Sequence, residues 1–190
     1  MPESQRLPSD LTTLSLAEIA QAAAERRLPP VDQWHPERVA DSAMRIDRDG
    51  GWHHEGAPIQ RPAMVRLFSS ILRREADGGY ALVTPVERLA IVVEDVPFVA
   101  VEVKTEGVGP TRRLAFRLNT DEVVIAGPAH ALRFVPSGDG TLPYLHVRAG
   151  LEARLARAVY YELAEHALDE GAEPAGLWSD GAFFAFDMDG

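Results

Sequence analysis

The chain has 190 residues and a formal net charge of −10, with 46% apolar and 25% charged side chains, which are the proportions of a folded protein and not of a disordered one. It has no cysteine, which excludes disulfide staples, thiol catalysis, thiolate zinc sites and iron–sulfur clusters held by this chain. No apolar run approaches bilayer length and the start, Met1–Asp10, lacks the apolar core of a signal peptide, so a reducing, cytoplasmic setting is expected.

In chain order, Ser15 and Glu18 form a capping-box pattern that opens a helix with Leu16, Ile19, Ala20 and Ala23 on one face, stopped by Arg26, Arg27 and Pro29-Pro30. Val31 to Val39 reads as an irregular connection that wraps onto a core through Trp34. Met44–Ile46 and Trp52–His54 flank Asp47-Arg-Asp-Gly-Gly51, the turn chemistry of a hairpin, whose second strand is expected to lead directly into a helix. Pro62 suits the first helical position. Met64, Leu67, Phe68, Ile71 and Leu72 extend the helical spacing until Asp77-Gly78-Gly79, and Tyr80–Val83 follows as a strand.

From Leu89 to Val147 the chain reads as six short strands, Leu89–Val93, Phe98–Glu106, Arg112–Leu118, Glu122–Ile125, Leu132–Val135 and Tyr144–Val147. Such spacing suggests a barrel or sandwich. A last helix is predicted from about Leu151 to Leu168, with Leu151, Leu155, Ala158, Val159 and Leu163 inward and Gly171 as its stop. Ser179-Asp-Gly181 then turns a terminal hairpin ending at Phe186.

The fold class is therefore α+β: two related β-rich halves, each with one packed helix. The divisions are an N-terminal helix and linker (1–30), an N-terminal α+β domain (31–95) and a C-terminal domain (96–190). A weak internal repeat links the halves: an arginine (Arg61, Arg148) leads into a helix, after which an Asp-Gly turn (Asp77-Gly78, Asp180-Gly181) opens an aromatic strand.

The charge distribution narrows the partners. Lys104 is the only lysine, and after Arg157 no Lys or Arg follows while Glu162, Glu165, Asp169, Glu170, Glu173, Asp180, Asp187 and Asp189 accumulate. Binding of nucleic acid or of an anionic membrane needs a contiguous basic footprint, so neither is expected.

Arg61 and Arg148, read as lying at strand-to-helix junctions, carry the sharpest hint of a ligand. Free amides and the positive helix end favour an anion there, and guanidinium grips phosphate or carboxylate bidentately. The competing reading pairs each with an acid such as Glu55, Glu87 or Glu152. Glu87, Glu94 and Asp95 have the chemistry of a general acid and base, but read more simply as solvated charges and, at Asp95-Val-Pro97, as a turn. His53 and His54 are adjacent on a strand and point to opposite faces, so no metal site is expected, and no cofactor; His35, His130, His146 and His166 read as isolated. Gly107-Val-Gly109 joins two strands, which removes a dinucleotide reading, and Gly176-Leu-Trp-Ser179-Asp-Gly181 has one residue too many before its serine for a nucleophile elbow.

The ordered set Asp49–Arg61, Leu67-Phe68-Ser69, Ile71-Leu72, Asp77-Gly78 with Tyr80–Pro85, Val93–Phe98, Leu118–Asp121, Pro143-Tyr144, Val147–Leu151 and Tyr160-Tyr161 resembles the bacterial domain-of-unknown-function family twelve-eighty-five. The resemblance implies a duplicated two-domain fold whose C-terminal half is a pleckstrin-homology-like barrel capped by a helix. It further implies a nucleotide-type ligand held between the halves in a signalling role, with no established activity. Carried onto the matching positions, Arg61, Glu87, Asp95, Phe98, Asn119, Asp121 and Arg148 are the candidate ligand-binding residues. The expected function is a ligand-binding regulatory module for a small anionic ligand; the alternatives are a metal- or carboxylate-dependent hydrolase and a protein-interaction module.

Overall fold

The computed structural model describes residues 15–138 and 140–186; the readings of Met1–Asp10, Asp187 and Asp189 lie outside them. The elements are α1 (Leu16–Glu25), β1 (Arg38–Ile46), β2 (Trp52–His54), β3 (Ala57–Pro58), α2 (Pro62–Ser70), β4 (Leu72–Arg74), β5 (Tyr80–Val83), β6 (Glu87–Val93), β7 (Phe98–Glu106), β8 (Arg113–Leu118), β9 (Val123–Ile125), β10 (Leu132–Ser137), β11 (Gly140–Arg148), β12 (Leu151–Leu155), α3 (Arg157–Glu170), β13 (Gly176–Ser179) and β14 (Ala182–Ala185). The strands form two six-stranded sheets, ordered β3-β2-β1-β6-β5-β4 and β10-β11-β12-β7-β8-β9, and the hairpin β13-β14. This is the α+β class expected, with two β-rich halves. No described helix is long and apolar enough to cross a membrane.

The chain divides into two compact units. One holds Arg27–Val99 and Val147–Ala153; the other holds α1, Ala100–His146 and the residues from Arg154 onward.

In the first unit β5 is apolar on both faces, with Ala81, Leu82 and Val83 all buried. Cross-strand partners share a face, so Ile46 beside Trp52, Leu72 beside Leu82 and Tyr80 beside Ile91 assemble one apolar side, on which Trp52 stacks with Phe68 of α2 at 6.3 Å. The β1–β2 hairpin closes as expected through Asp47–Gly51, where Asp47 Oδ1 accepts from the amides of Asp49 and Gly51. β1 begins at Arg38, earlier than the apolar pattern suggested, and pairs in parallel with β6.

Two expectations for this unit are corrected. The strand Trp52–His54 does not enter a helix directly, because Glu55 and Gly56, both at positive φ, turn the chain into the short β3. Nor does α2 continue to Leu72. The Ile71 carbonyl accepts from the Val83 amide, and Leu72 is buried opposite Leu82 as the first residue of a hairpin turned by Asp77-Gly78.

In the second unit Leu114, Phe116 and Leu118 are fully buried on one face of β8. On the other face, which Arg113 and Arg117 share, Ala115 lies with Val123 beneath Leu16 and Ile19 of α1 and is fully buried by them. The capping box at the start of α1 forms as read: the Ser15 hydroxyl accepts from the Glu18 amide and the Ser15 amide donates to the Glu18 carboxylate. Helix α3 buries Val159, Leu163 and Ala167 and ends at Gly171, whose φ of 61° is the left-handed cap that glycine allows.

The predicted start of that last helix is wrong. Leu151–Leu155 is a strand with Leu151, Ala153 and Leu155 buried in alternation, and the helix begins at Arg157. The repeat consequently holds in one part and fails in the other. In both halves a helix is followed by a hairpin turned on Asp-Gly, but Arg148 precedes a strand where Arg61 precedes a helix.

Ser179 is completely buried and joins three segments of the second unit. Its hydroxyl accepts from the Leu114 amide at 2.9 Å and donates to the Ala126 carbonyl at 2.7 Å. Ser179→Ala strands both backbone groups without water, and is expected to lower the unfolding free energy by about 2 kcal/mol, measured by urea denaturation. A loss under ~0.5 kcal/mol would show that the two groups find other partners.

Candidate functional site

The candidate residues divide between the units. Arg61, Glu87, Asp95, Phe98 and Arg148 belong to the first, and Asn119 and Asp121 to the second.

Arg148 sits at the end of β11, at the Arg148-Ala149-Gly150-Leu151 turn, where Ala149 and Gly150 have φ of 44° and 77°. Its Nη2 donates to the Ser69 carbonyl at 3.0 Å, and its guanidinium lies 5.3 Å over the fully buried Phe98 ring. A cation bonded to a carbonyl of the last turn of α2 is placed where the helix dipole is negative. Arg148 is thus a C-terminal partner of α2, and the strand-to-helix junction predicted for it does not exist.

Arg61 is at the opposite end of the same helix, as its N-terminal cap residue. Eight residues separate Arg61 from Ser69, about 12 Å along a helix axis. Arg61 and the guanidinium of Arg148 are therefore placed at opposite ends of α2. Arg61 is exposed, and among the described residues it has no ion pair or side-chain hydrogen bond. The first turn of α2 carries no acid and no side-chain cap.

The other candidates have local tasks. Glu87 pairs with Arg38 at 3.4 Å while its carbonyl accepts from the Thr84 amide, and Glu94 pairs with Arg45 at 2.5 Å and accepts from the Arg48 amide. Asp95 acts electrostatically on Tyr80, whose hydroxyl is pushed above its ordinary pKa chiefly by burial, while Arg74 lies 4.3 Å over its ring. Asn119 and Asp121 belong to the β8–β9 turn. There the Asp121 amide donates to the Leu118 carbonyl, its φ is 64°, and its carboxylate approaches Arg117 at 3.5 Å.

His53 and His54 diverge as the pleat requires: His54 is exposed and His53 Nε2 bonds Asp47 Oδ2 at 2.7 Å. That contact, first among its causes, holds Asp47 below the usual carboxyl range. Among the described residues no group of three or more His, Asp or Glu is arranged to hold a metal. The reading of His130 and His146 as isolated is corrected. Their rings stack with centroids 6.3 Å apart, and the Nδ1 atoms donate to the carbonyls of His146 and Ala129 respectively.

Sequence reasoning missed a cavity of about 550 Å³ within the second unit. It lies at the start of α1, beside the β7–β8 loop and the β13–β14 turn, and its charged lining is Glu106, Arg113 and Asp180. The only local signals were the positive-φ turn residues Gly107, Asp180 and Gly181. Nothing in the spacing joins Glu106 to Asp180.

Two family profiles cover most of the chain: the N-terminal domain of a domain of unknown function, DUF1285, over residues 29–96, and the C-terminal domain of the same family over residues 97–186. The chain is a DUF1285 family protein. A DUF1285 family protein from Silicibacter pomeroyi DSS-3 has a crystal structure that matches 88% of this chain and 93% of its own, with 42% identity and a TM-score of 0.78. A second, from Shewanella baltica OS155, matches 65% of this chain and 91% of its own at 26% identity, with a TM-score of 0.52. No curated protein matches. Membership of DUF1285 agrees with the duplicated two-domain organisation and assigns no reaction.

Proposed function

We propose that this DUF1285 protein is a regulatory ligand-binding module whose ligand is a small anion of nucleotide type, met by Arg61 at the open first turn of α2. The observation that carries the reading is the isolation of that guanidinium. Arg38, Arg45, Arg73, Arg88, Arg113 and Arg117 each face a carboxylate, whereas Arg61 has none among the described residues, and the helix start behind it holds no acid. A positive helix end joined to an uncommitted guanidinium favours an anionic group.

A regulatory role fits better than a hydrolytic one. Among the described residues the carboxyls of Glu18, Asp47 and Glu75 are held below their ordinary range, each first by a hydrogen bond, from Ser15, His53 and Arg73 respectively. They are held ionised, the opposite of what a general acid at neutral pH requires.

The test is thermal unfolding of the full chain with ATP, AMP and inorganic phosphate, compared with Arg61→Ala and Arg148→Ala. A rise in Tm that disappears in Arg61→Ala and persists in Arg148→Ala is expected. No rise with any probe, or an unchanged rise in Arg61→Ala, would remove the basis of the reading.

A further inference from the structure

We propose that the cavity at the start of α1 is a second binding site, built for a small zwitterion: an α-amino acid with a short apolar side chain. The proposal stands apart from the Arg61 reading, because it concerns other residues in the other compact unit.

The cavity, at about 550 Å³, falls within the range of small-molecule sites and leaves room for a ligand of amino-acid size. Its charged groups are of both signs. Glu106 uses Oε1, which accepts from the Leu16 amide at 3.4 Å and approaches Lys104 at 3.8 Å, and Oε2 has no partner among the described residues. Asp180 approaches Arg113 only through Oδ1, at 3.3 Å from Nε, with both side chains about half exposed. The two Nη groups of Arg113 form no hydrogen bond among the described residues.

This leaves acceptors and donors in one cavity. Carboxylate oxygens of Glu106 and Asp180 accept from an ammonium group, while the Nη fork of Arg113 matches a carboxylate in two parallel hydrogen bonds. A purely anionic ligand meets two like charges. It is also denied the helix start, because the Glu106 carboxylate already sits at the first amide of α1, the place an external anion would take. A simple amine gains the acids but leaves the guanidinium fork unmatched. Only a ligand carrying both groups answers the whole set, and Leu16, Ala17 and Pro110 supply the apolar wall for its side chain.

The experiment titrates the full chain with L-leucine, isoamylamine and isocaproate, which share a branched apolar end and differ in their charged groups. Leucine is expected to raise Tm by about 3 °C at ten times its Kd, and the amine and acid to bind at least about tenfold more weakly. Glu106→Gln and Arg113→Gln should each cost about tenfold in leucine affinity. In case a variant folds poorly, amide chemical shifts of the unaltered protein give an independent readout, since Gly107 and Gly181 line the cavity and must move with leucine. The proposal is overturned if leucine shifts neither Tm nor those amides, if either one-charge analogue binds as well, or if both folded variants retain leucine affinity.

Discussion

Arg73→Ala is expected to lower the unfolding free energy by about 3 kcal/mol, one of the two largest losses among these predictions. Four bonds meet at this side chain and its partner. Arg73 Nε donates to Glu75 Oε1 at 2.7 Å, and Nη1 donates to the carbonyls of Val31 and Trp34, both at 2.8 Å. The other oxygen of Glu75 accepts from Arg88 at 2.9 Å. The side chains of Arg73 and Glu75 are only 17% and 16% exposed, so these bonds are poorly screened by water. Removing the guanidinium leaves a mostly buried carboxylate with one remaining cation, and frees the Val31–Trp34 segment from the sheet.

The same contact makes a pH prediction with a definite sign. Glu75 is held below its ordinary 4.5, first by the hydrogen bond from Arg73, with Arg88 adding to it against the opposing effect of burial. A lowered folded-state pKa means stability that is present above the unfolded value and lost as pH falls through the folded one. Urea midpoints measured by circular dichroism should therefore decline below pH 4.5 in the unaltered chain. They should decline less in Glu75→Gln, which is already weaker at pH 7 and has no charge left to lose. Equal acid sensitivity in both proteins would assign the decline to other carboxyls, Asp47 among them, since His53 lowers it in the same direction.

What was legible in the sequence is what local chemistry decides. Ser15 and Glu18 specify a helix start within four residues, Gly171 a helix end, and the Asp-Gly turns at Asp77 and Asp180 close hairpins through positive φ, whatever the rest of the chain does. The errors fall where two periodicities coincide. Leu151 and Leu155 are four apart, a spacing that satisfies both a helical turn and a strand face. The choice was made by Ala149 and Gly150, whose positive φ turns the chain back as a strand. Leu72 is likewise four residues from Phe68 in the helical pattern and opposite Leu82 in the sheet, and burial against Leu82 prevails.

The site was less legible, because its groups meet only through register. The sequence pattern places Arg148 beside Arg61, each at a strand-to-helix junction. The β11–β12 turn instead brings Arg148 to the C-terminal end of α2. Glu106 and Leu16 are ninety positions apart in sequence and bonded in space. His130 and His146 stack because His146 lies beside Ala131 across β10 and β11, with the His146 amide bonded to the Ala131 carbonyl. No spacing rule written on one strand anticipates such pairs.

Arg112 is the second position where a single substitution should be costly, and its effect separates two kinds of contribution. Its side chain is 6% exposed; Nη2 bonds Glu170 near the end of α3, and Nε and Nη1 have no partner among the described residues. Arg112→Ala is expected to lose about 3 kcal/mol, because Glu170 is left as an uncompensated, largely buried charge. The double variant Arg112→Met with Glu170→Met should return to within about 1 kcal/mol of the unaltered chain. Both desolvated charges and the two unmatched donors then disappear together, and the methionine side chains refill the volume. The Arg112 carbonyl, which accepts from the Asp180 amide, is untouched by either change, so the β13–β14 turn keeps its anchor in all three proteins. If the double variant is as weak as Arg112→Ala, the pair itself carries the stability, and the unmatched nitrogens are cheaper than their burial implies.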